Sequence, residues 1–237
     1  MNKEGTLGVL GGMGPQATNT FYQRIIDRTQ AESDQEHLRV LVWSDAKIPD
    51  RTAAILGGED SREAVYRHLL RDAKLLEHAG CTVLAVPCNT SHYFADRIQA
   101  ELKIPLLHMP RLTVETIVGM GKKKVGILAT DGTIQTGIYQ TELEKAGLEA
   151  VRPNAEIQKL VMSIIYDEIK KGETGSREKF AVIDEALRAE GCDCAILGCT
   201  ELSVFRHLHS LPSYYVDPME ILAEQAILAC GKELRNI

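Results

Sequence analysis

Six short stretches of this chain are apolar almost without a break: TLGVLGG from Thr6, LRVLVW from Leu38, CTVLAVP from Cys81, IPLLH from Ile104, KVGILAT from Lys124 and CDCAILG from Cys192. A strand with one face in water alternates apolar and polar residues. Continuous runs belong to strands covered on both faces, as in parallel sheets. Longer amphipathic stretches separate the runs. Val65, Leu69 and Leu76 form a helical stripe, Ser61 is placed to cap it, and Gly80 stands where a C′ glycine belongs. Pro218 and Gly231 bracket a last helix, PMEILAEQAILAC. The repeated strand–helix order predicts an α/β protein with parallel sheets, flanking helices and right-handed crossovers.

The chain also resembles itself. LGVLGGMG from Leu7 lies over VGILATDG from Val125, so that Gly8 meets Gly126, Leu10 meets Leu128 and Gly14 meets Gly132. Further on, AVPCNTSH from Ala85 and AILGCTEL from Ala195 bring Cys88 over Cys199. The two offsets differ only by a modest insertion. Two segments matching in the same order point to a duplication. A length of 237 residues accommodates two lobes of roughly 100–120 residues each. The expected division is residues 1–107 plus about 217–237 for one lobe and 108–216 for the other. Ligands of parallel α/β lobes sit beyond the carboxyl ends of the strands, so two facing lobes would share one cleft.

Composition narrows the function. Apolar residues make up 44% and charged residues 25%, and the net charge is −6. No basic stripe is present beyond Lys122–Lys124, which excludes nucleic acid as the expected partner. No apolar run approaches the roughly 20 residues that span a bilayer. The first residues, Met1–Glu4, carry no secretory pattern, so the expected location is the cytoplasm, where the six cysteines stay free thiols. Cys192, Cys194 and Cys199 lack the spacing of a zinc site, and no metal is expected. Cys81, Cys192, Cys194 and Cys230 read as small buried hydrophobes.

Cys88 and Cys199 are different. Each follows a strand and precedes a helix, whose N-terminus favours an anion and can lower a thiol pKa. The same N–H groups bind carboxylates. Two acid/base groups on opposite faces of a carbon next to a carboxylate are what inversion of a stereocentre requires, one removing a proton while the other returns one. Converging N–H groups can stabilise the enediolate-like intermediate without a cofactor.

The residues that carry this chemistry fall into a set of motifs: LGGMGP at Leu10–Pro15, DQEH at Asp34–His37, IPDRT at Ile48–Thr52, PCNT at Pro87–Thr90, LAT and GTI around Thr130–Ile134, GCTE at Gly198–Glu201 and VDPM at Val216–Met219. Together and in this order they make the chain resemble the cofactor-independent aspartate/glutamate racemase superfamily, most of all its aspartate racemase branch. The resemblance runs nearly end to end. It implies two pseudo-symmetric α/β lobes with the active site in the cleft between them, no cofactor, an amino-acid substrate and a homodimer. It implies that Cys88 and Cys199 are the acid/base pair. By matching position, Asn89, Thr90 and Thr200 would hold the α-carboxylate and amine, with Thr130 and Glu201 also on the substrate. Met13 would lie on the turn lining the site. Arg51 would bind the substrate's side-chain carboxylate, with Lys170 beside it, although a one-residue shift would put Lys171 there instead.

Other readings fit some of the same residues. GMGPQA at Gly12–Ala17 fits a dinucleotide-binding fingerprint, with Asp45 as a candidate ribose ligand. Asp45 comes late for that role, Pro15 suits a helix start without any nucleotide, and the reading leaves both cysteine segments unexplained. A non-catalytic module that binds an acidic small molecule would use the same carboxylate-binding groups without needing two thiols. Within the superfamily, a hydantoin racemase, a broad-specificity amino-acid racemase and a one-thiol decarboxylase are nearer rivals. His92 and His108 also fall near strand ends and read as local hydrogen-bonding residues. Asp50 either orients Arg51 or caps a turn. Aspartate and glutamate differ by one methylene, and the motifs do not separate them.

Overall fold

The computed structural model describes residues 4–236; Met1–Lys3, on which the reading of the N-terminus partly rests, lie outside them. The chain forms two compact units. One runs up to Met109 and resumes at Met219, and the other is Pro110–Pro218.

In the first unit the elements are β1 (Thr6–Gly11), α1 (Pro15–Arg28), β2 (Arg39–Ser44), α2 (Arg51–Gly57), α3 (Glu59–His78), β3 (Val83–Ala85) and α4 (Ala95–Gln99). The chain leaves this unit at the start of α5 (Met109–Gly119). The second unit continues with β4 (Lys124–Ala129), α6 (Asp131–Thr136), α7 (Ile138–Lys145), β5 (Glu149–Val151), α8 (Ala155–Met162), α9 (Arg177–Ala189), β6 (Cys194–Gly198), α10 (Thr200–His209) and β7 (Tyr215–Val216). Helix α11 (Pro218–Ala229) carries the chain back into the first unit.

Both sheets are wholly parallel, with order β2-β1-β3 in the first unit and β5-β4-β6-β7 in the second. The topology repeats. The first strand of each unit is central, the second lies on one side and the third on the other. Gly8 stands in register between Leu41 and Leu84, and Gly126 between Val151 and Ala195. The predicted α/β class with parallel sheets and flanking helices is what the structure has.

The stripe on α3 is as the spacing predicts: Val65, Leu69 and Leu76 are buried, with Ala73 between them. Gly80 takes φ +92° after the helix, the left-handed conformation that a C′ glycine supplies. Ser61, however, is not the cap. α2 ends at Gly57 and the chain turns back into helix through Gly58, so α3 starts earlier and Ser61 falls inside its first turn. Pro218 opens α11, and Gly231 follows it at φ +78°.

Two of the apolar runs behave differently from their pattern. IPLLH contributes only an isolated bridge, Leu106 to Leu84, flanked by hydrogen bonds from Leu84 N to Pro105 O and from Leu107 N to Leu84 O, both 2.8 Å. A proline beside the bridge removes a donor that a full strand needs. LRVLVW forms β2, yet it is the open edge of its sheet. Leu41, Val42 and Trp43 are 40%, 36% and 42% exposed rather than covered.

The core of the first unit gathers Leu10, Leu69, Leu76, Leu84 and Phe94 and extends to Met13, Ile48 and Cys88 at the strand ends. That of the second gathers Leu128, Ile164, Ile183, Leu197 and Phe205 and extends to Cys199. Among the described residues no helix is long and apolar enough to cross a membrane.

Candidate active site

In the first unit the site candidates cluster where β1 and β3 end. After β3 the chain passes Val86 and Pro87 to Cys88, whose N–H donates to Val86 O at 2.8 Å in a tight turn. A 3₁₀ turn over Thr90–Phe94 follows. Cys88 is 5% exposed, and Asn89, Thr90, Ser91 and His92 are buried around it. His92 fixes the turn. Its Nδ1 lies 2.9 Å from Cys88 O and its Nε2 3.3 Å from Leu107 O, with the ring of His108 edge-on at 5.3 Å. Burial, then the neighbouring His108, lower its pKa from 6.5 to about 4. His92 is thus a neutral strut, in the local hydrogen-bonding role its sequence position indicates.

Met13, on the turn after β1, is buried and accepts a hydrogen bond at Sδ from Ser91 Oγ at 3.2 Å. Arg51 opens α2. It is also buried, and its guanidinium donates to Ile48 O (3.3 Å), Pro49 O (3.1 Å) and Met13 O (3.3 Å). Asp50 caps α2, its Oδ1 accepting from Ala53 N at 2.7 Å. The structure therefore brings Met13 and Arg51 together, and Ser91 links Met13 to the Cys88 turn. Ser91 is a contact for which the sequence carries no signal.

In the second unit Cys199 is the N-cap residue of α10, immediately after β6, and is 7% exposed. Its thiol donates to Glu201 Oε2 at 2.8 Å, and Thr200 Oγ1 lies 3.4 Å from the same oxygen. Glu201 Oε1 is 2.9 Å from Lys170 Nζ. Lys170 comes from a 3₁₀ turn over Ile169–Lys171, and its side chain is 25% exposed. Lys171 points elsewhere, to Asp167 at 3.3 Å. Of the two adjacent lysines it is Lys170 that meets the cysteine segment. Burial raises the Cys199 thiol well above its ordinary range, the Glu201 charge adds to that, and Lys170 works against it. For Lys170, burial disfavours the charge, but the Glu201 carboxylate and the Cys199 sulfur outweigh it and hold the ammonium above its usual range.

Thr130 is the N-cap of α6, its Oγ1 accepting from Thr133 N at 3.3 Å. Tyr139 on α7 is buried near Cys199, its phenol raised well above normal by burial. The resemblance puts Glu201 on the substrate; in the structure its two carboxylate oxygens meet Cys199 and Lys170.

The dinucleotide reading loses its acid. Asp45 is ion-paired with Arg71 at 2.7 Å and accepts from Lys47 N at 2.8 Å. All six cysteines are buried free thiols. Among the described residues no group of three or more His, Cys, Asp or Glu could hold a metal ion.

Comparison with known proteins places this chain. The family model for Asp/Glu/Hydantoin racemase matches residues 10–226. The structure is similar to that of an aspartate racemase from Picrophilus torridus, with 30% identity, a TM-score of 0.82, and 98% of this chain and 96% of that one covered. In sequence it is 28% identical over 209 residues to a broad specificity amino-acid racemase of Bacillus subtilis, covering 86% of this chain and 89% of that protein. It is 31% identical over 159 residues to a glutamate racemase of Persephonella marina, covering 65% of this chain and 60% of that protein. With strand-end cysteines in each of two repeated units and a family match over most of its length, the chain belongs to the Asp/Glu/hydantoin racemase family of isomerases.

Proposed function

We propose that this protein interconverts the enantiomers of aspartate or glutamate without a cofactor, with Cys88 and Cys199 as acid and base. One observation carries the reading: the two thiols hold the same place in two repeats of one topology. β3 and β6 each lie directly beside the first strand of their sheet. Each is followed by a buried cysteine, a threonine within two residues and a helical turn. Inversion asks for one proton-transfer group per face of Cα, and a duplicated thiol supplies two.

In the direction that starts from a Cys88 thiolate, the sulfur takes the Cα proton. The electron pair spreads into the α-carboxylate, and the Cys199 thiol delivers its proton to the opposite face of the same carbon. The roles exchange in reverse. Main-chain N–H groups in the first turn of α10 and the side chains of Asn89, Thr90, Thr130 and Thr200 would hold the α-carboxylate and amine as charge develops there. Met13 would line the site, and Arg51, Lys170 and Glu201 would set the environment of the substrate's side chain.

The test is a panel of L- and D-amino acids in deuterated buffer with no added cofactor, followed by proton NMR. Loss of the α-proton with inversion is expected for aspartate or glutamate. An α-proton that never exchanges with any acidic amino acid would overturn the proposal.

A wider substrate range is a second reading with its own support. The Arg51 guanidinium already donates to three main-chain oxygens and Lys170 already pairs with Glu201, so both cations have protein partners where an acidic side chain would otherwise need them. The B. subtilis relative is described as broad in specificity. Comparable turnover of neutral amino acids in the same panel would favour this reading over an acid-specific one.

The proposal takes the protein as a homodimer working in the cytoplasm. A reducing compartment keeps two catalytic thiols from oxidising. The open β2 edge, with Leu41, Val42 and Trp43 exposed in succession, offers a self-complementary face to a second copy of the chain.

A further inference from the structure

The Glu201 carboxylate is buried with both oxygens engaged, Oε2 by the Cys199 thiol at 2.8 Å and Oε1 by Lys170 Nζ at 2.9 Å. These groups come from separate parts of the second unit. Cys199 and Glu201 flank Thr200 at the start of α10, and Lys170 stands on the 3₁₀ turn Ile169–Lys171. The arrangement treats the two forms of Cys199 unequally. A thiol places its proton between sulfur and carboxylate. A thiolate in the same position would face an anion at the same short distance with nothing between them, and burial would keep water from screening the pair. Lys170 opposes this from the far oxygen of the same carboxylate. The other titratable groups nearby leave the balance to these two. Tyr139 on α7 stays neutral, because burial raises its phenol, and Asp217 accepts a hydrogen bond from Ser203 Oγ at 2.6 Å.

We infer that Glu201 is a positioning residue that holds Cys199 as the thiol, and so as the proton donor, in the substrate-free protein, with Lys170 bound to Glu201 as the counter-charge that keeps the thiolate within reach. The inference rests on the reading that Cys199 is one of the two acid/base groups. It gives the free protein a preferred starting form, awaiting the enantiomer that Cys88 deprotonates. A turnover in that direction leaves a thiolate beside Glu201 and a proton on Cys88. Before the next such turnover Cys199 must regain a proton from solvent while Cys88 releases one, with no net change in protons bound.

The test needs no turnover. Iodoacetamide reacts with the thiolate, and its rate at Cys199 can be read by peptide mass spectrometry on the substrate-free, full-length protein. At about pH 8, Glu201→Gln is expected to speed alkylation of Cys199 roughly tenfold, because one neighbouring negative charge is gone. Glu201→Asp, which keeps the charge, recovers part of the suppression. Lys170→Gln is expected to slow the same reaction by a similar factor. The opposite signs matter: a loosened site would speed alkylation in both variants, and that result overturns the inference. So does an unchanged rate in Glu201→Gln. If Glu201→Gln fails to fold, as judged by circular dichroism, Lys170→Gln decides alone, since slowing supports the inference and acceleration or no change overturns it. Racemisation is measured separately on the same samples. Rates that shift as expected in a parent protein without racemase activity would remove the functional reading and leave the control of Cys199 by Glu201 standing.

Discussion

His92 places Nδ1 2.9 Å from the carbonyl oxygen of Cys88, so the turn that carries one candidate catalytic thiol is tied to an imidazole held neutral. The sign of the pH effect follows. The folded pKa, about 4, lies below the unfolded value near 6.5, so the unfolded chain binds more protons between them. Stability from this residue is fully present above about pH 6.5 and is lost as pH falls towards 4. Denaturant midpoints of the parent should decline across that window. His92→Gln should be less stable at pH 7, by about 1–2 kcal/mol for the lost hydrogen bond, and its decline with acid should be shallower. Equal pH slopes for the two proteins would remove this role.

Replacing either thiol should stop racemisation. Cys88→Ser and Cys199→Ser are each expected to lose at least about a thousandfold in turnover, since a hydroxyl is a far weaker base at neutral pH. Each variant should still exchange the α-proton of only one enantiomer, because one face remains served. NMR in deuterated buffer with separate L and D substrates reads this. Exchange of both enantiomers in either variant would contradict the two-base mechanism.

Arg51 binds three main-chain oxygens through its guanidinium, a fan of donors that an ammonium cannot copy. Arg51→Lys should therefore resemble Arg51→Ala rather than the parent. Both should lose on the order of 2–3 kcal/mol in kcat/KM for aspartate if Arg51 also meets the substrate. Thermal unfolding measured alongside separates lost recognition from lost structure.

Gly12 follows β1 at φ +91°, and a Cβ there would lie 2.3 Å from the main-chain carbon of Asp45. Gly12→Ala combines a disfavoured conformation with a clash against backbone that has no rotamer to move. A loss of more than about 2 kcal/mol in chemical denaturation is expected.

Trp43 and Leu41 lie on one face of the open edge strand. On the proposal that two copies pair through this edge, Leu41→Lys should leave the fold intact and halve the mass seen in sedimentation velocity, as a charge on a paired edge opposes association. A parent protein that sediments as a monomer at all concentrations would show that the edge is unpaired.

Much of the fold is written locally. β1, β3, β4 and β6 announce themselves as unbroken apolar runs because each is buried, and the cysteines stand out because they end two of those runs. β5 (Glu149–Val151) and β7 (Tyr215–Val216) are not legible. They span three and two residues, too short for any periodicity, and β5 pairs only with β4 at the sheet's edge. The LRVLVW run misleads in the other direction, since apolar content alone does not distinguish a covered strand from an edge left open. The site is legible at the level of segments, through cysteine and threonine at a strand end. What Glu201 and Arg51 touch is not. Lys170 reaches Glu201, and Arg51 reaches Met13 O, only after residues distant in sequence have been brought together.

The closing role of α11 bears on how the chain is made. Met219, Leu222, Ala226 and Ile227 are buried in the first unit, and the residues after the helix are tied to it by hydrogen bonds from Gly5 N to Cys230 O and from Gln30 N to Glu233 O. During synthesis, β1 to α4 leave the ribosome early yet lack this helix until residues beyond Met219 have emerged. The second unit, continuous from Pro110 to Pro218, has all its strands by then. The order of emergence and the order of completion are therefore reversed: the half that is translated first is the half that finishes last.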